Sequence, residues 1–534
     1  MQISNKIFLI LKFSIFFLLL FALWNSLIIG GSWDEPFHHA NGVLRLRYLI
    51  SFGEYQNYQY ANNQFYPGLY DTFSSTISFL INKFYPEFLK KNFFNIKHFV
   101  NFIFAAISIY GLFKFIKAFS NNELLALFST LLTILNPFFF GHMGMNPKDT
   151  IIFFALIWFL YFFYKYISKK RDIKNLIYFS VFIGFGCGIR ISFLAVIFPI
   201  IIFGIIYYIQ RFQINIFEFL KIKGFDIILG LICILFLSFI TWPHMHDGNI
   251  NIILQTLKNS ISWPGGAKLV LINGDFFETS NTPKTYFLSF LLFKMPIYQS
   301  ILFFISLFLI FLKKEFFRNK IKEFNKFSFL ILFIIIYTVS LTILFNVKIY
   351  DGIRLFLFLI PLFCVQCSLT LIYVINNFRK NFSNYIFLTL FICLFFISTY
   401  RFIILTPYQY SYINYNFIKL SSASDKFEHD YWNTSWKELI KDLPDTIEGK
   451  EPKNFNIGVC GGDPNVAAHY LSQRYKKFKV TNASDAHYLI MTNKASFNKN
   501  DKRTCFDIYK GKDFYYVKRG NLILSKFTKI KEID

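Results

Sequence analysis

The sequence predicts a mainly α, polytopic membrane protein: a helical bundle of about eleven spans with a small extracytoplasmic α/β domain at its C-terminal end. Three observations predict it. Of the 534 residues, 54% are hydrophobic and 21% aromatic, with 75 Phe, where a soluble domain holds about 45–50% apolar residues. The apolar residues recur in runs of about 17–25, long enough to cross a bilayer as a helix. Lys and Arg gather in the short breaks between runs, at Lys169-Lys170-Arg171, Lys313-Lys314, Arg318 to Lys326 and Arg379-Lys380. That is the pattern of cytoplasmic loops, so the net charge of +25 reports on topology and no nucleic-acid partner is expected.

Taken in order, the runs place spans near 7–29, 96–118, 123–141, 150–168, 175–190, 191–210, 225–242, 297–312, 327–345, 354–375 and 384–404. The first reads as a retained signal anchor, because Gly30-Gly31-Ser32 runs into Trp33 and acids without a small-residue cleavage site. With the N-terminus cytoplasmic, the basic loops at 169–174, 313–326 and 376–383 fall on the cytoplasmic side, and an odd count puts the tail outside. The outer loop 30–95 carries Tyr55, Tyr58, Tyr60, Tyr66 and Tyr70, then an amphipathic stretch at 72–88 suited to the membrane interface. The outer loop 243–296, with Trp263-Pro264-Gly265-Gly266 and Thr282-Pro283-Lys284, reads as a cap over a cavity.

The composition changes after Thr406, and the chain divides into a membrane domain over 1–440 and a tail domain over 441–534. Strands are expected at 454–460, 478–480, 487–491 and 514–518, with a helix at 465–475 and a last strand after Gly520-Asn521. Gly461-Gly462-Asp463-Pro464 lacks the spacing of a nucleotide loop. Cys187, Cys233, Cys364, Cys367 and Cys393 lie within apolar runs as packing residues. Cys460 and Cys505 lie in the tail, where their pairing requires an oxidising compartment.

On this topology the ionisable residues collect on the outer face. Asp34, Glu35, His38 and His39 follow the first span, and Asn146-Pro147-Lys148-Asp149 closes the third. Arg190 ends the fifth, and Tyr350-Asp351-Gly352-Ile353-Arg354 opens the tenth. Snorkelling side chains would scatter over both faces, so convergence on one points to a single site at the membrane–water boundary. Cations there suit the phosphate of a lipid whose chain stays in the bilayer, and a nearby carboxylate suits a general base acting on a hydroxyl. Asp34/His38 and Glu35/His39 are also spaced i, i+4, and His244 and His246 add a pair, but no spacing fits a firm zinc signature. Neither metal nor cofactor is expected.

The set Asp34-Glu35, Asn146–Asp149, Gly184–Arg190 and Asp351-Gly352-Ile353-Arg354 resembles the membrane glycosyltransferases of the GT-C fold. It is most similar to the dolichyl-phosphate-mannose protein mannosyltransferase group and its bacterial branch. Thr406–Tyr410 and Phe427–Trp432 look like the stretch that leaves the last span in that branch; the resemblance covers residues 1 to about 440. It implies a polyprenyl-phosphate sugar donor, an inverting displacement and no nucleotide sugar. Asp34 is then the base, with Glu35 orienting the acceptor or sharing that role. Lys148, Arg190 and Arg354 hold the donor phosphate, and His38, His39, Asn146, Asp149, Tyr350 and Asp351 complete the pocket. Residues 243–296 are too few for the β-trefoil insert of eukaryotic members, so the hydroxyl acceptor is open among glycan, lipid and protein. That, with the AT-rich residue bias, points to a cell inner membrane. The rival reading is a transporter that flips the same lipid-linked sugar without chemistry.

Overall fold

The computed structural model describes residues 5–261, 266–345, 347–377, 382–414, 423–496, 498 and 500–531. Trp263-Pro264-Gly265 of the expected cap and Arg379-Lys380 of the last basic loop lie outside them. The chain begins with α1 (Asn5–Ile28), then an outer pair, α2 (Glu35–Ile50) and α3 (Leu69–Phe84), ahead of the long α4 (Pro86–Ser120). There follow α5 (Glu123–Ile134), α6 (Pro137–Met145), α7 (Asp149–Ile167), α8 (Ile173–Ile189), α9 (Phe193–Phe212) and α10 (Ile216–Phe239). The second outer segment holds α11 (Pro243–His246), α12 (Asn251–Ile261) and a hairpin of β1 (Leu269–Ile272) and β2 (Asp275–Glu278). The bundle closes with α13 (Tyr286–Lys294), α14 (Ile297–Leu312), α15 (Lys314–Lys320), α16 (Phe324–Leu344), α17 (Leu359–Asn377) and α18 (Phe382–Ile404).

Among the described residues, eight helices are long and apolar enough to cross a membrane, and up to ten if each of two bent pairs counts as one span. The shorter apolar α8 occupies the remaining expected position. Five boundaries differ from the sequence expectation, two of them because α4 already begins at Pro86 and α10 at Ile216, behind the Asn215–Glu218 capping box. The run 123–141 is broken by 73° between α5 and α6, where Asn136 caps Phe139 N and Pro137 starts a new first turn. The run 297–312 is preceded by α13, turned by 119° at Met295-Pro296. The tenth span starts at Leu359, because Asp351 (φ 57°) and Gly352 (φ 68°) occupy the left-handed region and hold residues 350–358 out of the helix.

Among the described residues the basic breaks 169–174 and 313–326 lie at one end of the bundle, where Tyr208 Oη donates to Lys170 O (3.2 Å) one turn from Arg211. Lys322 N donates to Ser120 O (2.8 Å), Asn122 Nδ2 to Lys320 O (3.2 Å), and Arg211 pairs with Glu323 (3.3 Å). From there α7 and α16 run to the other face, where Asp149 and Phe345 lie at their far ends. Nineteen residues of α7 separate the two faces by about 28 Å at 1.5 Å rise per residue.

The tail forms short α19 (Ala423–Lys426) and α20 (Trp436–Lys441), then a five-stranded sheet in the order β4-β3-β5-β7-β6. Its strands are β3 (Asn456–Cys460), β4 (Lys479–Thr481), β5 (Tyr488–Thr492), β6 (Lys512–Arg519) and β7 (Leu522–Lys529). α21 (Pro464–Arg474) makes the crossover from β3 to its parallel neighbour β4, and α22 (Cys505–Ile508) precedes the β6–β7 hairpin. Cys460 and Cys505 form a disulfide. The sheet domain docks on the start of the chain: Gly31 N donates to Tyr470 Oη (2.7 Å) and Lys437 Nζ to Ile29 O (3.2 Å). Gly31 is required there, since a Cβ would fall 2.6 Å from the Phe94 ring.

Candidate active site

Local structure separates the two adjacent acids. Pro36 lies in the first turn of α2, and Glu35 folds back so that Oε2 accepts Ser32 N (2.6 Å) and meets His98 Nε2 (3.1 Å). Glu35 is thereby buried against α4. Asp34, in the N-cap position, instead accepts Arg354 Nη1 on Oδ2 (3.1 Å) and keeps 31% side-chain exposure.

The Asn146–Asp149 turn is built by its first residue. Asn146 Oδ1 accepts Lys148 N (3.1 Å) and Asp149 N (2.8 Å), which directs α7 away with Asp149 in its first turn, where a carboxylate suits the helix dipole. Asp149 then takes Arg190 Nη2 on Oδ1 (3.1 Å) and Arg354 Nη1 on Oδ2 (3.4 Å). Arg190 is the C-cap residue of α8.

Arg354 is the hub. Its guanidinium, 3% exposed, meets Asp34, Asp149 and, through Nε, Asp351 Oδ2 (3.1 Å), and lies over the rings of Trp432 (4.5 Å) and Tyr350 (5.2 Å). Burial opposes its charge, but the three carboxylates outweigh burial and hold it protonated well above the usual arginine value. Lys148 shows the reverse balance: burial and the neighbouring Arg190 push its ammonium well below the usual lysine value, and it rests 3.6 Å over the Tyr66 ring.

These groups form one end of a cavity of about 760 Å³. The charged end is lined by Asp34, Lys148, Arg190, Asp351, Arg354 and Lys494. The rest of the lining is mainly apolar, with Ala195 and Val196 of α9, Leu341 of α16, Phe345 and Phe358, and carries Thr338, Thr342 and Lys348 among them. Thr256, Leu257 and Ser260 of α12 line it from the second outer segment, in the capping place expected of that segment.

His38 and Tyr350 also line the cavity. Asn146 and Asp149 lie beneath it as the turn and the counter-charge. His38 Nδ1 is held by Asp71 (3.1 Å), while His39 packs edge-on against Phe93 (4.8 Å) and burial drives its pKa to about 3. The i, i+4 pairs therefore do not converge: Asp34, Glu35, His38 and His39 each turn to a different partner. Glu35 and His39 do not line the cavity.

Among the polar and aromatic lining residues that the sequence does not mark as site residues are Tyr431, Trp432, Asp463 and Lys494. Tyr431 and Trp432 lie within the quoted Phe427–Trp432 segment but had not been assigned to the pocket. Lys494, in the tail, pairs with Asp351 and lies 3.5 Å from Glu428. A lone Lys after a strand, 140 positions beyond Arg354, carries no local signal.

Residues 79–242 match the family model described as dolichyl-phosphate-mannose-protein mannosyltransferase. The resemblance drawn from the motifs is borne out over that stretch, which holds Asn146–Asp149 and Arg190 and excludes Asp34 and Arg354. No curated protein matches the chain. Among solved structures the chain is similar to ArnT from Cupriavidus metallidurans in the apo state, at 10% identity and a TM-score of 0.47, covering 95% of this chain and 96% of that one. The same protein bound to undecaprenyl phosphate gives 10% and 0.47, with 98% of each chain covered. The archaeal oligosaccharyltransferase AglB from Archaeoglobus fulgidus, in complex with an inhibitory peptide and a dolichol-phosphate, gives 11% and 0.45, with 97% and 74% covered. Likeness at these levels fixes neither activity nor ligand.

Proposed function

We propose that the chain is an integral-membrane glycosyltransferase that moves a sugar from a polyprenyl-phosphate donor to an acceptor hydroxyl on the extracytoplasmic side. The observation that carries the reading is the make-up of this cavity, whose charged groups are continuous with apolar side chains of α9 and the end of α16. That pairing suits an anionic headgroup on a prenyl chain. The family model over 79–242 supports the same class. The basic loops on the far face support a cytoplasmic N-terminus, and the Cys460–Cys505 disulfide suits a tail domain in an oxidising compartment such as the space outside an inner membrane.

In this reading the donor phosphate is met by Arg354, Lys148 and Arg190, all of which line the cavity. Asp34, which lines the cavity and keeps 31% side-chain exposure beside Arg354, takes the proton of the acceptor hydroxyl. The hydroxyl oxygen attacks the anomeric carbon from the face opposite the phosphate, the bond from that carbon to the phosphate oxygen breaks, and polyprenyl phosphate leaves with the electron pair. The product is inverted, and the cations balance the charge that grows on the leaving phosphate. Glu35 serves by fixing Ser32 and hence the start of α2. The acceptor is a hydroxyl of a glycan, a lipid or a protein.

The test reconstitutes the protein in lipid vesicles with a synthetic polyprenyl-phosphate sugar and scores sugar transfer and lipid translocation separately. Sugar leaving the lipid at a rate that requires Asp34 is the expected result. Translocation of intact donor with no transfer to any supplied hydroxyl acceptor would identify a transporter and overturn the proposal.

A further inference from the structure

The sheet domain contributes two charged residues to the cavity lining, Asp463 and the cation Lys494. We infer that Lys494 is a positioning residue of the donor site: by neutralising Asp351 it leaves the Arg354 guanidinium available to the donor phosphate, which makes the soluble domain a working part of that site. The inference rests on the donor reading above.

The placement of Lys494 is built. It follows β5, and Asn493 before it donates through Nδ2 to Phe427 O (2.9 Å) and accepts His429 N on Oδ1 (3.0 Å). Lys494 O accepts Cys505 N (2.9 Å), and Cys505 is tied to Cys460 by the disulfide. Ala495 N donates to Glu428 Oε1 (2.9 Å). The backbone is therefore fixed on both sides of Lys494 before its side chain makes any contact.

Burying a lysine costs solvation and rotamer freedom, so a lysine that only docked two surfaces would keep its ammonium in water. Lys494 is 3% exposed, with Asp351 and Glu428 as its carboxylate partners and the Tyr431 ring 5.8 Å away. Burial works against its charge, but Asp351 and Glu428 outweigh burial and hold it protonated.

The charge count gives the consequence. Arg354 faces three carboxylates, of which Asp149 shares Arg190 and Asp351 shares Lys494. Arg354, Arg190 and Lys494 thus stand against Asp34, Asp149, Asp351 and Glu428, three cations against four carboxylates, with Lys148 beside them as the fourth cation where a phosphate arrives. Without Lys494 the network carries a surplus carboxylate at Arg354 Nε, which repels the phosphate and competes for the guanidinium. Docking has its own contacts outside the cavity, among them Arg519 with Glu438 and with Thr406 O (2.6 Å).

The test uses the full chain in lipid nanodiscs, with a sugar-free polyprenyl monophosphate as the probe and its Kd as the readout. Lys494→Met is expected to bind roughly tenfold to a hundredfold more weakly, the scale of one charge-assisted hydrogen bond. Lys494→Arg keeps the charge and binds within a few-fold of wild type. Lys494→Met combined with Asp351→Asn removes the surplus carboxylate and recovers most of the loss. Arg519→Met, which weakens docking alone, binds as wild type does. Wild-type affinity in Lys494→Met, or a double variant no better than the single one at equal melting temperature, overturns the inference. If Lys494→Met does not fold, the Arg and double variants decide alone: wild-type affinity in both supports it, and loss in both overturns it. A wild-type protein that does not bind the probe overturns the donor reading itself, and this inference with it.

Discussion

Replacing Arg354 by Lys probes the hub without removing its charge. The guanidinium contacts Asp34, Asp149 and Asp351 at 3.1, 3.4 and 3.1 Å while lying over Trp432 and Tyr350. An ammonium is a point donor on a flexible stem and cannot reach three separated carboxylates or stack on two rings. It retains one contact and loses two, each worth roughly 1.5–3 kcal/mol as a charge-assisted hydrogen bond. Asp149 keeps Arg190 and Asp351 keeps Lys494, so neither is left as an unpaired buried charge. The two lost contacts sum to at most about 3–6 kcal/mol, with the low end expected because both carboxylates keep a cation. Donor recognition suffers separately, because a fork that engages two phosphate oxygens becomes a single contact. We expect kcat/KM for the lipid-linked sugar to fall roughly 100- to 1,000-fold, from a loss near 3–4 kcal/mol at 1.4 kcal/mol per tenfold. The assay is initial-rate sugar transfer in nanodiscs over a donor titration, with a thermal melt alongside. A variant that melts lower yet transfers sugar with wild-type kcat/KM would refute the placement of the phosphate at Arg354.

Asp34→Asn is expected to lower kcat roughly 100- to 10,000-fold while polyprenyl-phosphate binding stays within a few-fold, because the amide oxygen still accepts from Arg354 but takes no proton. Single-turnover transfer checks it, and an unchanged rate removes Asp34 as the base. Glu35→Gln should lower stability by about 1–3 kcal/mol through the buried His98 contact and leave kcat of the folded protein within a few-fold; a loss of kcat equal to that of Asp34→Asn, without loss of stability, would reverse the assignment of the two acids. Opening the Cys460–Cys505 bridge with paired Ser substitutions should destabilise the tail domain by about 4 kcal/mol on the chain-entropy scale for a 45-residue separation, read as protease sensitivity of residues 445–531. His39 is held neutral by burial, with a folded pKa of about 3 against an ordinary 6.5. Its contribution is full above pH 6.5 and is lost as pH falls toward 3, so the melting temperature should drop on acidification through that window, and less steeply in His39→Phe.

The apolar runs by themselves determined the helical bundle, because a segment that crosses lipid must satisfy its backbone hydrogen bonds within itself, and so announces itself locally. The tail strands were legible for a similar reason: alternation and turn residues at Gly520-Asn521 are properties of adjacent positions. The sequence also put Asp34, Lys148, Arg190 and Arg354 on one face, since sidedness follows from counting spans. It could not say that Asp34 turns to the cavity while Glu35 turns to His98, because that choice depends on what α4 and the Tyr350–Arg354 segment present to each acid. Nor could it bring Lys494 to Asp351, or set apolar side chains of α9 and α16 beside the charges. Charges and cavities of this kind are made by residues hundreds of positions apart, and only the packed tertiary structure sets the distances over which Coulomb attraction and burial act.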